Sequence, residues 1–120
     1  MTWIVQFEED FELELDALPS DVQDSLFAKA TLLEEFGPEL GRPHADTLQG
    51  SNYPNMKELR FKAADGVWRV AFAFDPLRRA IILVAGDKSG VSQKRFYKQL
   101  INTADRRFTN HLNRLEGESN

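Results

Sequence analysis

The sequence contains no cysteine, which excludes a disulfide framework and any thiolate metal site. Its two histidines, His44 and His111, lie far apart, and no His/carboxylate cluster shows ligand spacing. Neither a metal nor a cofactor is therefore expected. Apolar runs are short, far below the roughly 20 residues of a membrane span. The start, MTWIVQFEED, lacks the basic and long apolar segments of a secretion signal. A cytoplasmic protein without membrane contact is the expectation. Gly86-Asp87-Lys88-Ser89-Gly90 lacks the spacing of a phosphate-cradling P-loop. No nucleophile-elbow context accompanies any serine.

What the chain does have is enough apolar matter for one core. Its 120 residues are 42% hydrophobic, with nine Phe and two Trp, so a single domain over 1–120 is expected. Charge is sorted along it. Residues 1–56 carry two basic side chains, Lys29 and Arg42, against twelve acidic ones, whereas residues 57–114 carry thirteen against five. Such sorting serves either to pair acids with bases across the fold or to give one part an anion-binding surface.

Periodicity supplies the elements. Trp3, Val5 and Phe7 alternate in a strand over 2–7, and Phe11 and Leu15 lie one helical turn apart. Val22, Leu26, Ala30 and Leu33 form an amphipathic stripe over 20–36, closed by Gly37-Pro38. The two helices form a hairpin whose outer face carries Asp21, Asp24, Glu34 and Glu35. Residues 37–56, with Gly41, Pro43, Gly50 and Pro54, read as an irregular connection. Three strands follow, over 57–62, 67–74 and 80–85, the last apolar throughout, as a strand buried on both faces requires. From Ser92 to about Leu115, Phe96, Leu100, Ala104, Phe108 and Leu112 recur every four residues, and 116–120 reads as a frayed tail. The order β-α-α-β-β-β-α makes this an α+β protein, a small, mainly antiparallel sheet backed by helices.

Basic residues inside strands are the chemical signal. Arg60 and Lys62 alternate against Leu59 and Phe61, which puts Lys57 on the apolar side. Arg69, between Trp68 and Val70, stands where a hydrophobe costs less, so it either pairs with a carboxylate or faces a groove that takes phosphate. Lys88, Lys94, Arg95, Tyr97 and Lys98 follow the last strand. A lone Lys94 or Lys98 is an ordinary solvated lysine; the strand arginines are the stronger candidates.

The runs Asn55-Met56-Lys57-Glu58-Leu59-Arg60 and Val67-Trp68-Arg69-Val70-Ala71-Phe72, the turn Gly86-Asp87-Lys88 and the cluster Lys94-Arg95-Phe96-Tyr97-Lys98 resemble the HigB-like, phage-related branch of the RelE/ParE toxins. Pro43-His44-Ala45-Asp46-Thr47-Leu48 and Phe36-Gly37-Pro38 resemble it too, so the similarity spans essentially the whole chain. The resemblance implies a twisted sheet backed by helices and an endoribonuclease acting on mRNA, on the ribosome, without a metal. It also implies neutralisation by a cognate antitoxin with a helix-turn-helix DNA-binding fold. By position, Arg60, Arg69 and Tyr97 take catalytic roles, with Lys88 or Arg95 as the basic residue after the last strand. Lys57, Lys62, Lys94 and Lys98 would bind RNA. Arg60, Arg69 and Tyr97 are expected to line one concave surface with Lys57 and one of Lys88, Lys94 or Arg95.

The chain departs from the family in two ways. It is acidic overall, at −4, where ribosome-directed relatives are usually basic, and the insertion Ser89-Gly90-Val91-Ser92-Gln93 leaves both Lys88 and Arg95 open as the aligned base. Glu58 stands where some relatives carry a base, which leaves the register of Lys57 open. Lysine and tyrosine, with ordinary pKa values near 10, act as bases at neutral pH only if neighbouring positive charge lowers them. Two other functions share this fold: ParE-like poisoning of gyrase, against which the retained Arg60, Arg69 and Tyr97 argue, and a catalytically inactive binding module.

Overall fold

The computed structural model describes residues 2–118. Along the chain run β1 (Ile4–Phe7), α1 (Glu9–Leu15), α2 (Ser20–Phe36), a 3-10 turn (Gly37–Glu39), β2 (Ala45–Thr47), β3 (Lys57–Ala63), β4 (Gly66–Phe74), β5 (Arg79–Asp87) and α3 (Gln93–Glu118). The strands form one sheet in the order β1-β5-β4-β3-β2. β1 runs parallel to β5, and the other neighbours are antiparallel. This is the expected α+β architecture, with β2 as an addition. β2 is a three-residue strand inside the connection read as irregular, held by pairing Ala45 with Leu59 and Thr47 with Lys57.

Alternation along the strands separates two core layers. Leu59, Phe61, Val70, Phe72, Ala80 and Ile82 pack against Phe11 and Leu15 of α1 and Val22, Leu26, Ala30 and Leu33 of α2. Ala71, Ala73, Ile81 and Leu83 point the other way, to Phe96, Leu100, Ala104 and Phe108 of α3. β5 is thus buried on both faces, as its apolar run required. Leu26 and Leu33 are fully buried, and truncating either to Ala removes about 2–5 kcal/mol.

Local chemistry sets the helix ends. Glu8 opens α1 by accepting a hydrogen bond from the Phe11 amide at 3.0 Å. Gly37 closes α2 in the left-handed region (φ +56°) with its α-carbon against the Trp3 indole; a Cβ there would come within 2.3 Å of Nε1. The outer face of α2 leaves Asp21, Asp24, Glu34 and Glu35 exposed. α3 does not fray at 116. Leu112 and Leu115 lie beside Pro76 and Leu77 of the β4–β5 turn, and the helix continues to Glu118. The last two residues of the expected tail lie outside the described residues.

Candidate functional site

β3 and β4 set the site. Their register places Arg60 directly opposite Arg69, on the face that α3 covers, and two like charges so placed repel. Glu58, one pleat away on the same face and 4% exposed, resolves the conflict. Its Oε2 accepts a hydrogen bond from Arg60 Nη1 at 2.8 Å, and its Oε1 lies 3.8 Å from Arg69 Nε. Glu58 Oε1 also accepts the Tyr97 hydroxyl at 2.9 Å. Arg69, 6% exposed, donates Nη1 to the Trp68 carbonyl at 2.9 Å, and its buried Nε has no hydrogen-bond partner.

Two further groups complete the cluster. Lys88, just past β5, is fixed by its amide donating to the Val67 carbonyl at 2.8 Å. Tyr97 is placed by the close approach of α3 to β5. Gly86 pairs with Arg69, and a Cβ on Gly86 would stand 2.9 Å from the Phe96 ring. The absence of a side chain there lets the first turn of α3 settle on the sheet.

These surroundings push two titratable groups in opposite directions. Burial, then the Arg69 and Arg60 charges, lower the Lys88 pKa, against a smaller opposing pull from Glu58. Burial and the Glu58 hydrogen bond and charge raise that of Tyr97, outweighing Arg69. Arg69 lowers both groups, but only the lysine ends below its ordinary value.

Of the residues singled out in the sequence, Arg60, Arg69, Lys88 and Tyr97 come together. Lys57 does not. Strand alternation turns it to the α1–α2 side, where Nζ donates to the Pro38 carbonyl at 3.1 Å. Lys62 lies on the site's face but at the exposed end of β3, opposite Val67. Lys94, Arg95 and Lys98 are exposed on the first turns of α3. Lys94, Arg95 and Lys98 line one open recess on α3 with Ser92, Gln99 and Asn102. The role of Glu58 was not visible in the sequence, because two of its partners, Arg69 and Tyr97, lie on other segments. A recess of about 550 Å³ lies elsewhere, between Pro76, Leu77, Leu112 and Leu115, with Glu116 and Glu118 beside them. Among the described residues no group of three or more His, Asp or Glu side chains could hold a metal ion.

A second buried polar cluster lies toward the other end of α3. Asp75 accepts from His111 Nε2 at 2.9 Å and from Arg79 Nε at 3.0 Å. Arg107 donates Nη1 to Glu14 at 2.8 Å and to the Leu83 carbonyl at 2.9 Å. Arg114 lies 3.5 Å from the buried Glu8. His111 is thus a partner of a structural carboxylate.

The family described as Phage derived protein Gp49-like (DUF891) matches residues 13–109. Two Mycobacterium tuberculosis proteins named as toxins are similar to the chain. HigB3 is 47% identical over 96 residues, covering 80% of this chain and 82% of HigB3. The chain belongs to the HigB-like branch of the RelE/ParE toxins. HigB2 is 43% identical over 103 residues, which are 85% of this chain but 51% of HigB2, so the HigB-like chain spans about half of that relative's length. A solved structure of Escherichia coli toxin RelE, a double arginine-to-alanine mutant in the free state, superimposes with a TM-score of 0.60 at 16% identity. It covers 84% of this chain and 95% of RelE, which makes the fold RelE-like.

Proposed function

We propose that this chain is the toxin of a type II toxin–antitoxin pair and cleaves mRNA, on the ribosome, as a metal-independent endoribonuclease. The observation that carries the reading is a charge excess. On one sheet face, Arg60, Arg69 and Lys88 gather about Glu58 beside the Tyr97 phenol, while Asp46, opposite Glu58, is matched by Arg42. Positive charge held in place before any ligand arrives stabilises a pentavalent phosphate without reorganisation. RNA brings its own nucleophile, so the protein needs only to orient it and manage protons.

In this reading the 2′-oxygen attacks the adjacent phosphorus and the bond to the 5′-oxygen breaks. The neutral Lys88 amine takes the 2′-hydroxyl proton, and the Tyr97 phenol supplies one to the departing 5′-oxygen. The products are a 2′,3′-cyclic phosphate and a 5′-hydroxyl. The opposite pKa displacements of Lys88 and Tyr97 support these assignments. Lys88 rather than Arg95 takes the role after the last strand, because Lys88 feels the charges of Arg69, Arg60 and Glu58 while Arg95 lies exposed on α3. Lys62, Lys94 and Lys98 hold the backbone on either side. A cognate antitoxin with a helix-turn-helix fold is the partner, and the acidic outer face of α2 gives it a surface that RNA would avoid.

The test is to incubate purified protein with a translation extract and map mRNA 5′ ends. New ends within coding sequence, absent with Arg69→Ala, are expected. Intact mRNA from a protein that still arrests growth would replace this reading with a gyrase-directed one, and intact mRNA without arrest with a binding module.

A further inference from the structure

We infer that Glu58 is a positioning residue that holds the Tyr97 hydroxyl, Arg60 and Arg69 in one arrangement and so fixes which side of the site donates a proton. The inference rests on the ribonuclease reading for its meaning, but its geometry stands independently. Glu58 is buried on the α3 face between three partners from three segments: Arg60 on its own strand, Arg69 on β4 and Tyr97 on α3. Lys88, beyond β5, also feels its charge, and Asp46, opposite Glu58 on β2, is itself paired with Arg42.

Glu58 is too deeply buried to be a base that RNA reaches first. Its oxygens are also occupied, Oε2 by Arg60 and Oε1 by the Tyr97 hydroxyl. It therefore acts through its partners. Accepting from the phenol orients the tyrosine O–H and favours the form that still holds its proton, which is the form a leaving oxygen needs. Bridging the two facing arginines lets both sit on one sheet face despite their repulsion. The same negative charge opposes the lowering of Lys88, so one carboxylate sets both the donor and the acceptor of protons.

The sign of its removal follows. Without the Glu58 charge, Tyr97 ionises at lower pH, and Lys88 also loses its proton at lower pH. Cleavage needs a neutral Lys88 and a protonated Tyr97. Its rate thus rises with pH through the first transition and falls through the second, and both limbs move down together.

The experiment compares wild type, Glu58→Gln and Glu58→Asp in two ways. The Tyr97 phenol is titrated by its ultraviolet absorbance, with Tyr97→Phe as the blank that removes the Tyr53 signal. The pH–rate profile is measured on a short mRNA bound to ribosomes. Glu58→Gln should shift the Tyr97 titration and both limbs to lower pH and reduce kcat by about 100-fold with little change in KM, as misplaced groups do. Glu58→Asp should move them less in the same direction, and it serves as the readout if the glutamine variant does not fold. A folded Glu58→Gln or Glu58→Asp protein whose Tyr97 titration matches wild type would overturn the inference. A wild-type protein inert toward ribosome-bound mRNA would sink the ribonuclease reading instead, and the phenol titration would still decide the role of Glu58.

Discussion

Toward one end of α3, the single carboxylate of Glu58 meets Arg60, Arg69 and Lys88. Toward the other, Glu8, Glu14 and Asp75 meet Arg79, Arg107, Arg114 and His111. Both sets are partly buried and both join α3 to the sheet. In the second, each carboxylate has a cation or imidazole within reach, and the Arg107 guanidinium also donates to a backbone carbonyl. Such a set ties α1, the β4–β5 turn and α3 together. In the first, cations outnumber anions; a buried Nε without a hydrogen-bond partner occurs in both, on Arg69 and on Arg107. A fold gains nothing in stability from the charge excess. That excess, and not the unpartnered Nε, is what separates the two sets and supports placing ligand chemistry at the first.

Substitutions in the two clusters should therefore separate stability from rate. Arg107→Met leaves the half-exposed Glu14 without its partner, Glu8 with less and the Leu83 carbonyl without its donor, and should cost about 1.5–3 kcal/mol in urea unfolding. Cleavage per folded molecule should stay near wild type. A variant as stable as wild type would show that the second cluster is not a clamp.

Arg69→Ala is the mirror experiment. Loss of one charge aimed at the phosphate should slow cleavage about 100-fold and relieve growth arrest. Unfolding should change far less than with Arg107→Met, because the repulsion with Arg60 goes too. Normal growth arrest by a folded Arg69→Ala protein would make that arginine structural.

A third comparison sets the basic site against the acidic outer face of α2. Reversing Asp21, Asp24, Glu34 and Glu35 to Lys should raise the antitoxin's dissociation rate by roughly tenfold and flatten its salt dependence. Unchanged binding at all salt concentrations would take α2 out of the interface and favour direct covering of Arg60 and Arg69.

The smallest effect concerns acid. Burial opposes ionisation of Asp75, but hydrogen bonds from His111, the Arg79 amide and the Arg79 guanidinium outweigh it, and its pKa falls below the ordinary aspartate value. A carboxyl depressed in the folded state stabilises it above the unfolded pKa, and that stability is lost as pH falls through the folded one. Wild type should therefore lose stability below about pH 4, and Asp75→Asn should flatten that slope. Equal slopes in the two proteins would remove Asp75 from the clamp.

Much of this was legible in the sequence, and the rest was hidden for definite reasons. The four-residue stripe of α2 and the alternation of β3 and β4 are local patterns, so the elements and the shared face of Arg60 and Lys62 follow from spacing alone. Arg69 was conspicuous as a base inside an apolar strand. β2 was not, because three residues carry no period and the strand exists only through its register with β3. Lys57 was already on the apolar side by alternation; the family resemblance drew it toward RNA, and the strand geometry keeps it away. Glu58 reads as an ordinary strand glutamate until Tyr97, 39 residues on, is placed against it. The Glu14–Arg107 pair spans 93 residues, beyond any local signal.

The most direct test of the central claim is the chemistry of the cut. An RNA carrying one mapped cleavage site should yield a 2′,3′-cyclic phosphate and a 5′-hydroxyl, identified by mass spectrometry. The same RNA with a single 2′-deoxy substitution immediately before the scissile phosphate should resist cleavage there. Cleavage of the deoxy substrate at the same bond, or a 5′-phosphate product, would contradict the account, because water rather than the RNA would then be the nucleophile.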